Sequence, residues 1–225
     1  VWFPRLDDDA EPLVAQEHVF RVVRQVARLR GRRPPDALPA AFAGDARLVA
    51  AIAELDPYHS VRRDPLIGPL EPLASASPPP DSPRLFAYLA AGYAGLDLLF
   101  LALGKRGIPT RLFLQGADVS LRNQAVQAGL RVDREPPPLN HVLPECAIVL
   151  HHGGQATAVQ ALAAARPQVV LPRCLEQELT GQAIEAMGCG SSLAGPQSVA
   201  AVIEAMERIL ADSNYAARAA QLAAA

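Results

Sequence analysis

The residues best suited to chemistry stand in one short stretch, AIVLHHGGQAT at Ala147–Thr157. Its apolar start predicts a strand, and Gln155–Ala164, which contains no Gly or Pro, predicts a helix. Two histidines and two glycines separate them. A Gly-rich turn from a strand into a helix can bind an anion, because the glycines let the backbone approach a phosphate and the unpaired first-turn amides point at it. The spacing alone is equally compatible with a tight turn that carries two histidines by chance.

Three side chains of this turn differ in what they are expected to do. His152 can offer a ring N–H to an anion, and Thr157 can offer a hydroxyl. His151 is expected to be a satisfied strand-end residue. A metal site made of the two histidines is disfavoured, because adjacent side chains at a strand end point apart and no further ligand cluster accompanies them. The sequence therefore predicts an anion site without a metal or other cofactor.

The longer segment HHGGQATAVQALAAARPQVVLPRCLEQ, at His151–Gln177, resembles a known family. It is similar to the donor-binding segment of the inverting glycosyltransferases of GT-B fold, which include UDP-glucuronosyltransferase-like enzymes and bacterial enzymes that glycosylate antibiotics and lipids. Their pattern runs His-His-Gly-Gly-x-Gly-Thr, Ala-Leu-Ala-x-Gly-x-Pro, a strand ending in Leu-Pro, and an acid followed by Gln. AELDPYHSVRRDPLIGPL at Ala53–Leu70 resembles the end of the acceptor-binding domain of the same family, where an elDpy…GPl pattern precedes the interdomain linker.

The resemblance implies a function and a set of site residues. The function is metal-independent transfer of a hexose, with inversion, from a UDP- or TDP-sugar to a hydroxyl of a small-molecule or lipid acceptor. Fixed amide dipoles suit this reaction, because the diphosphate gains negative charge as the sugar departs. Glu176 and Gln177 are implied to hold the donor sugar through its hydroxyls, and the nucleobase is expected near Pro136–Leu143. The residues implied to cradle the donor diphosphate are His152, Gly153, Gly154, Gln155, Ala156 and Thr157.

The sequence departs from the family pattern at three positions. Ala156 and Ala165 replace glycines, and Thr180 stands near a position that is often Asn. At Ala156 a methyl group could crowd the phosphate. If Ala165 must take a positive φ, the cost is on the order of 1 kcal/mol.

In proteins of this family, the general base that deprotonates the acceptor hydroxyl lies early in the N-terminal domain. No segment of this sequence corresponds to that region. No catalytic residue is therefore expected in the chain, which is predicted to be inactive by itself. The two Gly-to-Ala changes favour an alternative, a non-catalytic homologue that acts as a binding or auxiliary protein. A dinucleotide oxidoreductase is the weaker alternative, because GGQAT lacks the GxGxxG spacing.

The elements around these residues predict an α/β fold. From Arg84 onward, short apolar strands alternate with helices, which favours a doubly wound parallel sheet of Rossmann-like type. The sheet should place three turns on one edge: Ala90–Gly92, His151–Thr157 and Pro172–Gln177. Ser120 is a plausible N-cap of the helix that ends at Gly129.

The predicted domain organisation has three parts. Residues 1–72 form a mainly helical remnant of the acceptor-binding domain, the Pro- and Ser-rich residues 73–83 are the linker, and residues 84–225 bind the donor. An amphipathic helix is predicted at Glu17–Arg30 and a shorter element at Leu48–Ile52. Because Val1 is not an initiator Met, a fragment or processed product is expected.

Composition narrows the class of protein further. The 225 residues are half apolar and carry a formal net charge of −2, with no basic excess for nucleic acid. The apolar runs are too short for a transmembrane helix. Three widely spaced cysteines fit neither a zinc site nor a disulfide framework, and an odd count suits the cytoplasm. Heavy use of Ala, Arg and Pro indicates a bacterial source with a GC-rich genome.

Overall fold

The computed structural model describes residues 11–42, 45–80, 84–194 and 198–224. The chain divides into two compact units, Val1–Leu48 and Val49–Ala225. The predicted linker lies within the second unit, except that residues 81–83 are outside the described part. The three-part domain organisation stays a prediction.

The first unit contains helix α1, Glu11–Leu29, followed by a 3-10 turn at Leu38–Phe42. The helix confirms the amphipathic segment predicted at Glu17–Arg30 and begins earlier than expected. Arg24 lies over the ring of Phe20, with its Cζ 5.5 Å from the ring centroid. Gly31, at φ +63°, ends the helix.

The second unit opens with irregular chain before the sheet. Instead of the element predicted at Leu48–Ile52, Val49 and Leu66 form an isolated parallel bridge, and a 3-10 turn covers Ala53–Leu55. Asp56 is buried and ion-paired with Arg62, whose guanidinium lowers the pKa of that carboxyl.

The sheet is parallel throughout and has six strands in the order β3-β2-β1-β4-β5-β6. The strands are β1 Leu85–Ala90, β2 Thr110–Gln115, β3 Arg131–Asp133, β4 Ile148–His151, β5 Gln168–Val170 and β6 Gly190–Ser192. The helices are α2 Leu96–Arg106, α3 Val119–Gln127, α4 Leu139–Val142, α5 Gln155–Ala163, α6 Leu175–Ala186, α7 Val199–Ala211 and α8 Ser213–Ala223. This is the doubly wound arrangement predicted from the sequence.

Side chains alternate between the two faces of the sheet, as a strand with period two requires. On β1, Leu85, Ala87 and Leu89 pack with α2, α3 and α7, while Phe86 packs on the other face with α4 and α5. Both faces are covered, which explains the nearly continuous apolar strands. Successive strands are added on one side of β1 as far as β3 and on its other side from β4 onward, and such a switch point in strand order is where ligands bind in open α/β sheets.

Several element boundaries differ from the sequence prediction. Helix α3 is capped by Asp118, whose side chain accepts a hydrogen bond from the Leu121 amide, so the Ser120 cap was wrong. The sequence also predicts a helix at Gln177–Met187, and helix α6 begins earlier, at Leu175. Strand β6 was missed. A further helix is predicted from the sequence at Gln197–Leu210. Helix α7 begins at Val199, and Gln197 lies outside the described residues.

Candidate functional site

Three turns meet at the carboxyl edge of the central strands: β1–α2, β4–α5 and β5–α6. They contain the three segments that the sequence predicted to share one edge. Because β4 lies between β1 and β5, the turn His152–Gly154 has the other two turns on either side of it. The candidate site is this crevice.

His151 closes the base of the turn through a buried hydrogen-bond chain. Its Nδ1 accepts from the Gly153 amide at 3.0 Å, and its Nε2 lies 2.8 Å from Gln168 Oε1. Gln168 in turn donates to the Ala158 carbonyl. Complete burial lowers the pKa of His151 to about 4, so the ring is neutral at pH 7. The structure places His151 as the satisfied strand-end residue that was expected.

The ring of His152 bridges the ends of the two neighbouring strands. Its Nε2 accepts from the Ala90 amide at 2.9 Å, and its Nδ1 donates to the Leu171 carbonyl at 2.7 Å, because a carbonyl oxygen can only accept. Tyr93 lies against the ring, with centroids 5.3 Å apart. Both ring nitrogens therefore contact backbone groups in this structure.

The charge state of His152 follows from its surroundings. Burial lowers its pKa, and the positive charge of Arg173 adds to this effect, whereas the hydrogen bond to Leu171 opposes it. The ring is therefore neutral at pH 7. With its proton on Nδ1, it offers no N–H from Nε2.

Position 153 requires glycine for two reasons, its backbone conformation and the lack of space for a side chain. Its φ is +87°, and an added Cβ would lie 2.7 Å from the Gln177 carbonyl oxygen and 2.8 Å from Val170 Cγ1. The glycine therefore lets the β4–α5 turn contact the first turn of α6 directly. This contact brings the predicted diphosphate and sugar segments together.

The amino end of α5 is open. Gly154 occupies the N-cap position without a side chain to bond the first-turn amides. The amides of Gln155, Ala156 and Thr157 have no partner within an α-helix, so they point out of the amino end of the helix. Ala156 is exposed and lines a pocket of about 220 Å³ with residues 50–51, 69–71 and 73.

The first turn of α6 carries the two residues implied to hold the sugar. Glu176 is exposed there. Gln177 is half-buried, and its Oε1 accepts from the Arg173 amide at 2.9 Å, so its side chain fixes the β5–α6 turn. Thr180, buried one turn later, donates its hydroxyl to the Glu176 carbonyl.

Arg173 lies at the candidate site and was not singled out by the sequence analysis. Its side chain is exposed, and a methyl group built on Gly92 would lie 3.7 Å from its Nη2. The side chain therefore joins the β5–α6 turn to the β1–α2 turn, past His152. Its position directly before the acid-Gln pair, in a turn already expected at the site, was the available signal.

The described residues include no group of three or more His, Cys, Asp or Glu side chains that could hold a metal ion. Within the same residues, no helix is both long and apolar enough to cross a membrane.

Comparison with known proteins places this geometry in a family context. Residues 125–225 match the model of the erythromycin biosynthesis protein CIII-like, C-terminal domain. Elloramycin glycosyltransferase ElmGT of Streptomyces olivaceus is 41% identical over 61 residues, which are 27% of this chain and 16% of that protein.

Two solved structures share the fold. The glycotransferase of kitacinnamycin superposes with a TM-score of 0.68 at 19% identity, over 95% of this chain and 61% of that chain. The spinosyn rhamnosyltransferase SpnG complexed with thymidine diphosphate gives a TM-score of 0.62 at 18% identity, over 91% and 57% of the two chains. The matches cover less than two thirds of the length of each of these proteins. Residues 125–225 are therefore similar to the C-terminal domain of this family, and the parallel-sheet part of the chain has the fold of GT-B glycosyltransferases.

Proposed function

We propose that this chain is the donor-binding part of a glycosyltransferase. It binds a nucleoside-diphosphate sugar, a UDP- or TDP-sugar, for inverting, metal-independent transfer of a hexose to the hydroxyl of a small-molecule or lipid acceptor. The observation that carries the proposal is the uncapped amino end of α5, which follows Gly153 and Gly154 at the switch point of the sheet. The thymidine diphosphate complex of the spinosyn enzyme, which shares the fold, supports the ligand class.

The proposed diphosphate contacts come from the backbone of Gly154 and of Gln155–Thr157, with the Thr157 hydroxyl beside them. Amide dipoles and the helix end stabilise the leaving diphosphate as its negative charge grows, which is work that a metal does in other transferases. His152 orients the turns through Ala90 and Leu171. It can donate from Nε2 to the diphosphate only when its Nε2 gains a proton and releases the Ala90 amide.

The proposed sugar contacts come from the first turn of α6. The exposed Glu176 carboxylate is free to accept hydrogen bonds from the sugar hydroxyls, whereas Gln177 also holds the Arg173 amide. We place transfer itself in the complete enzyme, in which an acceptor-side base deprotonates the hydroxyl. By itself the chain binds the donor without turnover.

Calorimetric titration tests the proposal. Uridine diphosphate, thymidine diphosphate and their glucose conjugates are titrated into the chain in the presence of EDTA. We expect saturable binding of a nucleoside diphosphate, with a rise in melting temperature that follows ligand concentration. Absence of binding by every one of these ligands would favour the non-catalytic homologue, and multiple turnover with an added acceptor would contradict the predicted inactivity.

Two variants separate the parts of the donor site. His152→Ala should weaken the binding of the nucleoside diphosphate and of its sugar conjugate alike, because the substitution loosens the turns that form both parts of the site. Glu176→Ala should weaken the binding of the sugar conjugate only. The affinity should fall roughly tenfold or more, because a hydrogen bond to a charged group is lost. Glu178→Ala, in the same helix turn, is the matched control for the change in charge. Equal losses for both ligands in Glu176→Ala would mean that this residue supports the turn and does not contact the sugar.

A further inference from the structure

The Arg173 guanidinium lies at the crevice without a carboxylate partner. Among the described residues, no acidic side chain forms an ion pair with it. The hydrogen bond to Gln177 comes from the Arg173 backbone amide and leaves the guanidinium out. Other arginines of the sheet unit are engaged: Arg62 with Asp56, Arg106 with Glu207, and Arg111 with Asp133. An exposed arginine without a partner is ordinary on a protein surface, so its position must decide whether it has a function.

That position is fixed by two independent contacts. The Arg173 amide is held by the Gln177 side chain, which sets the start of the side chain at the β5–α6 turn. Its Nη2 reaches the surface of Gly92 in the β1–α2 turn. Strands β1 and β5 are separated by β4, so their turns are roughly 10 Å apart. The side chain therefore crosses the end of β4, where the open amides of α5 begin.

Two residues mark the course of this side chain: Gly92, and His152, whose pKa is lowered by burial and by the charge of Arg173. A methyl group at position 92 would lie in ordinary van der Waals contact with the guanidinium, which shows how close the β1–α2 turn comes to it. The guanidinium and the amino end of α5 thus bring a full positive charge and the helix dipole to one crevice. A planar guanidinium suits two neighbouring phosphate oxygens, because its N–H groups can donate to both.

We propose that Arg173 is a donor-binding residue that contacts the diphosphate at the crevice where the α5 amides begin. This inference rests on the proposed function and adds a contact that depends on this particular side chain. In this site the arginine supplies the full charge that the backbone amides lack. It also stabilises the diphosphate as it leaves, without accepting or donating a proton.

The test compares Arg173→Gln, Arg173→Lys and the wild-type chain by calorimetric titration with uridine diphosphate and thymidine diphosphate. For whichever of the two nucleoside diphosphates the wild-type chain binds, we expect Arg173→Gln to lower the affinity about tenfold. Arg173→Lys should recover part of it, because an ammonium group keeps the charge and loses the two-pronged contact. Raising the salt concentration should weaken wild-type binding more steeply than binding by Arg173→Gln.

Arg131→Gln is the matched control. It removes the same charge from an exposed arginine at the start of β3, on the opposite edge of the same sheet, and should leave affinity unchanged. Equal or tighter binding by Arg173→Gln, or a loss with unaltered salt dependence, would overturn the role of Arg173 while the proposed function stands. A wild-type chain that binds neither diphosphate would overturn the proposed function and this inference together.

Discussion

At the scale of single residues, the adjacent histidines His151 and His152 have different structural roles. His151 is buried and bonds within its own turn and to β5, whereas His152 reaches β1 and the residue that follows β5. The sequence supported the separation of their roles through strand alternation. It could not show that both nitrogens of His152 contact backbone, because one of those partners, Ala90, is 62 residues away.

The buried His151 predicts a dependence of stability on pH. Its folded pKa of about 4 lies below its ordinary 6.5, so the unfolded chain binds more protons between these pH values. The contribution of His151 to stability is therefore complete above pH 6.5 and is lost as the pH falls toward 4, by on the order of 3 kcal/mol. Urea unfolding between pH 7 and pH 5 should show this decline.

His151→Gln should flatten that part of the profile, since glutamine does not titrate. Where this variant fails to fold, NMR of the wild-type chain gives the same answer, because the His151 ring resonances should stay in the neutral form down to about pH 4. A midpoint near 6.5 for this ring would contradict the prediction.

At the scale of elements, period and turn signals were sufficient for most of the sheet. The strand predicted at Ala147–Leu150 is Ile148–His151, and the helix predicted at Gln155–Ala164 is Gln155–Ala163. Strand β6, Gly190–Ser192, was missed because its small and polar residues have no strand signature. Helix α6 returns the chain to the edge of the sheet, where β6 pairs with β5. Position 190 requires glycine there, because an added Cβ would lie 2.0 Å from the Gln168 carbonyl oxygen.

The ends of four helices reveal one shared motif. In α1, α3, α5 and α6 the amide two residues past the C-cap donates to the carbonyl five residues before it, and the preceding amide donates to the carbonyl three residues before it, which is the Schellman arrangement. Three of the left-handed positions are glycines, Gly31, Gly129 and Gly188. In α5 the position is Ala165, at φ +61°. The positive φ considered from the family departure is therefore present.

Ala165→Gly is expected to stabilise the chain by up to about 1 kcal/mol, because glycine adopts a positive φ without the Cβ penalty and only part of this gain is offset by the buried methyl group that is lost. Thermal and urea unfolding measure the change. Ala164→Gly is the control, since this neighbour is also buried but has φ −74°. It should be destabilising. A loss of stability in both variants would mean that the Ala165 methyl contacts outweigh backbone strain.

At the scale of the whole molecule, the second unit includes the irregular chain before the sheet, and two side chains of the sheet region hold residues 72–78 by hydrogen bonds. Gln160 donates to the Pro72 carbonyl and accepts from the Ala74 amide. Arg166, fully buried on the same side, bonds the Ser77 carbonyl at 2.8 Å and also the Pro78 carbonyl. Composition predicted a linker here because prolines and serines dominate it. It could not predict these anchors, since they come from side chains more than 80 residues away.

Hydrogen exchange tests where the donor site lies within the molecule. A bound nucleoside diphosphate stabilises only the state that binds it, and its direct effect is on amides that it contacts or whose opening releases it. We expect slower exchange in Ala90–Leu96, His152–Thr157 and Arg173–Gln177, the three turns at one edge of the sheet. Exchange in Glu11–Leu29 of the first unit should not change. Protection centred on the opposite edge, where Arg84, Thr110 and Arg131 line a pocket of about 260 Å³, would place the ligand elsewhere and contradict the site.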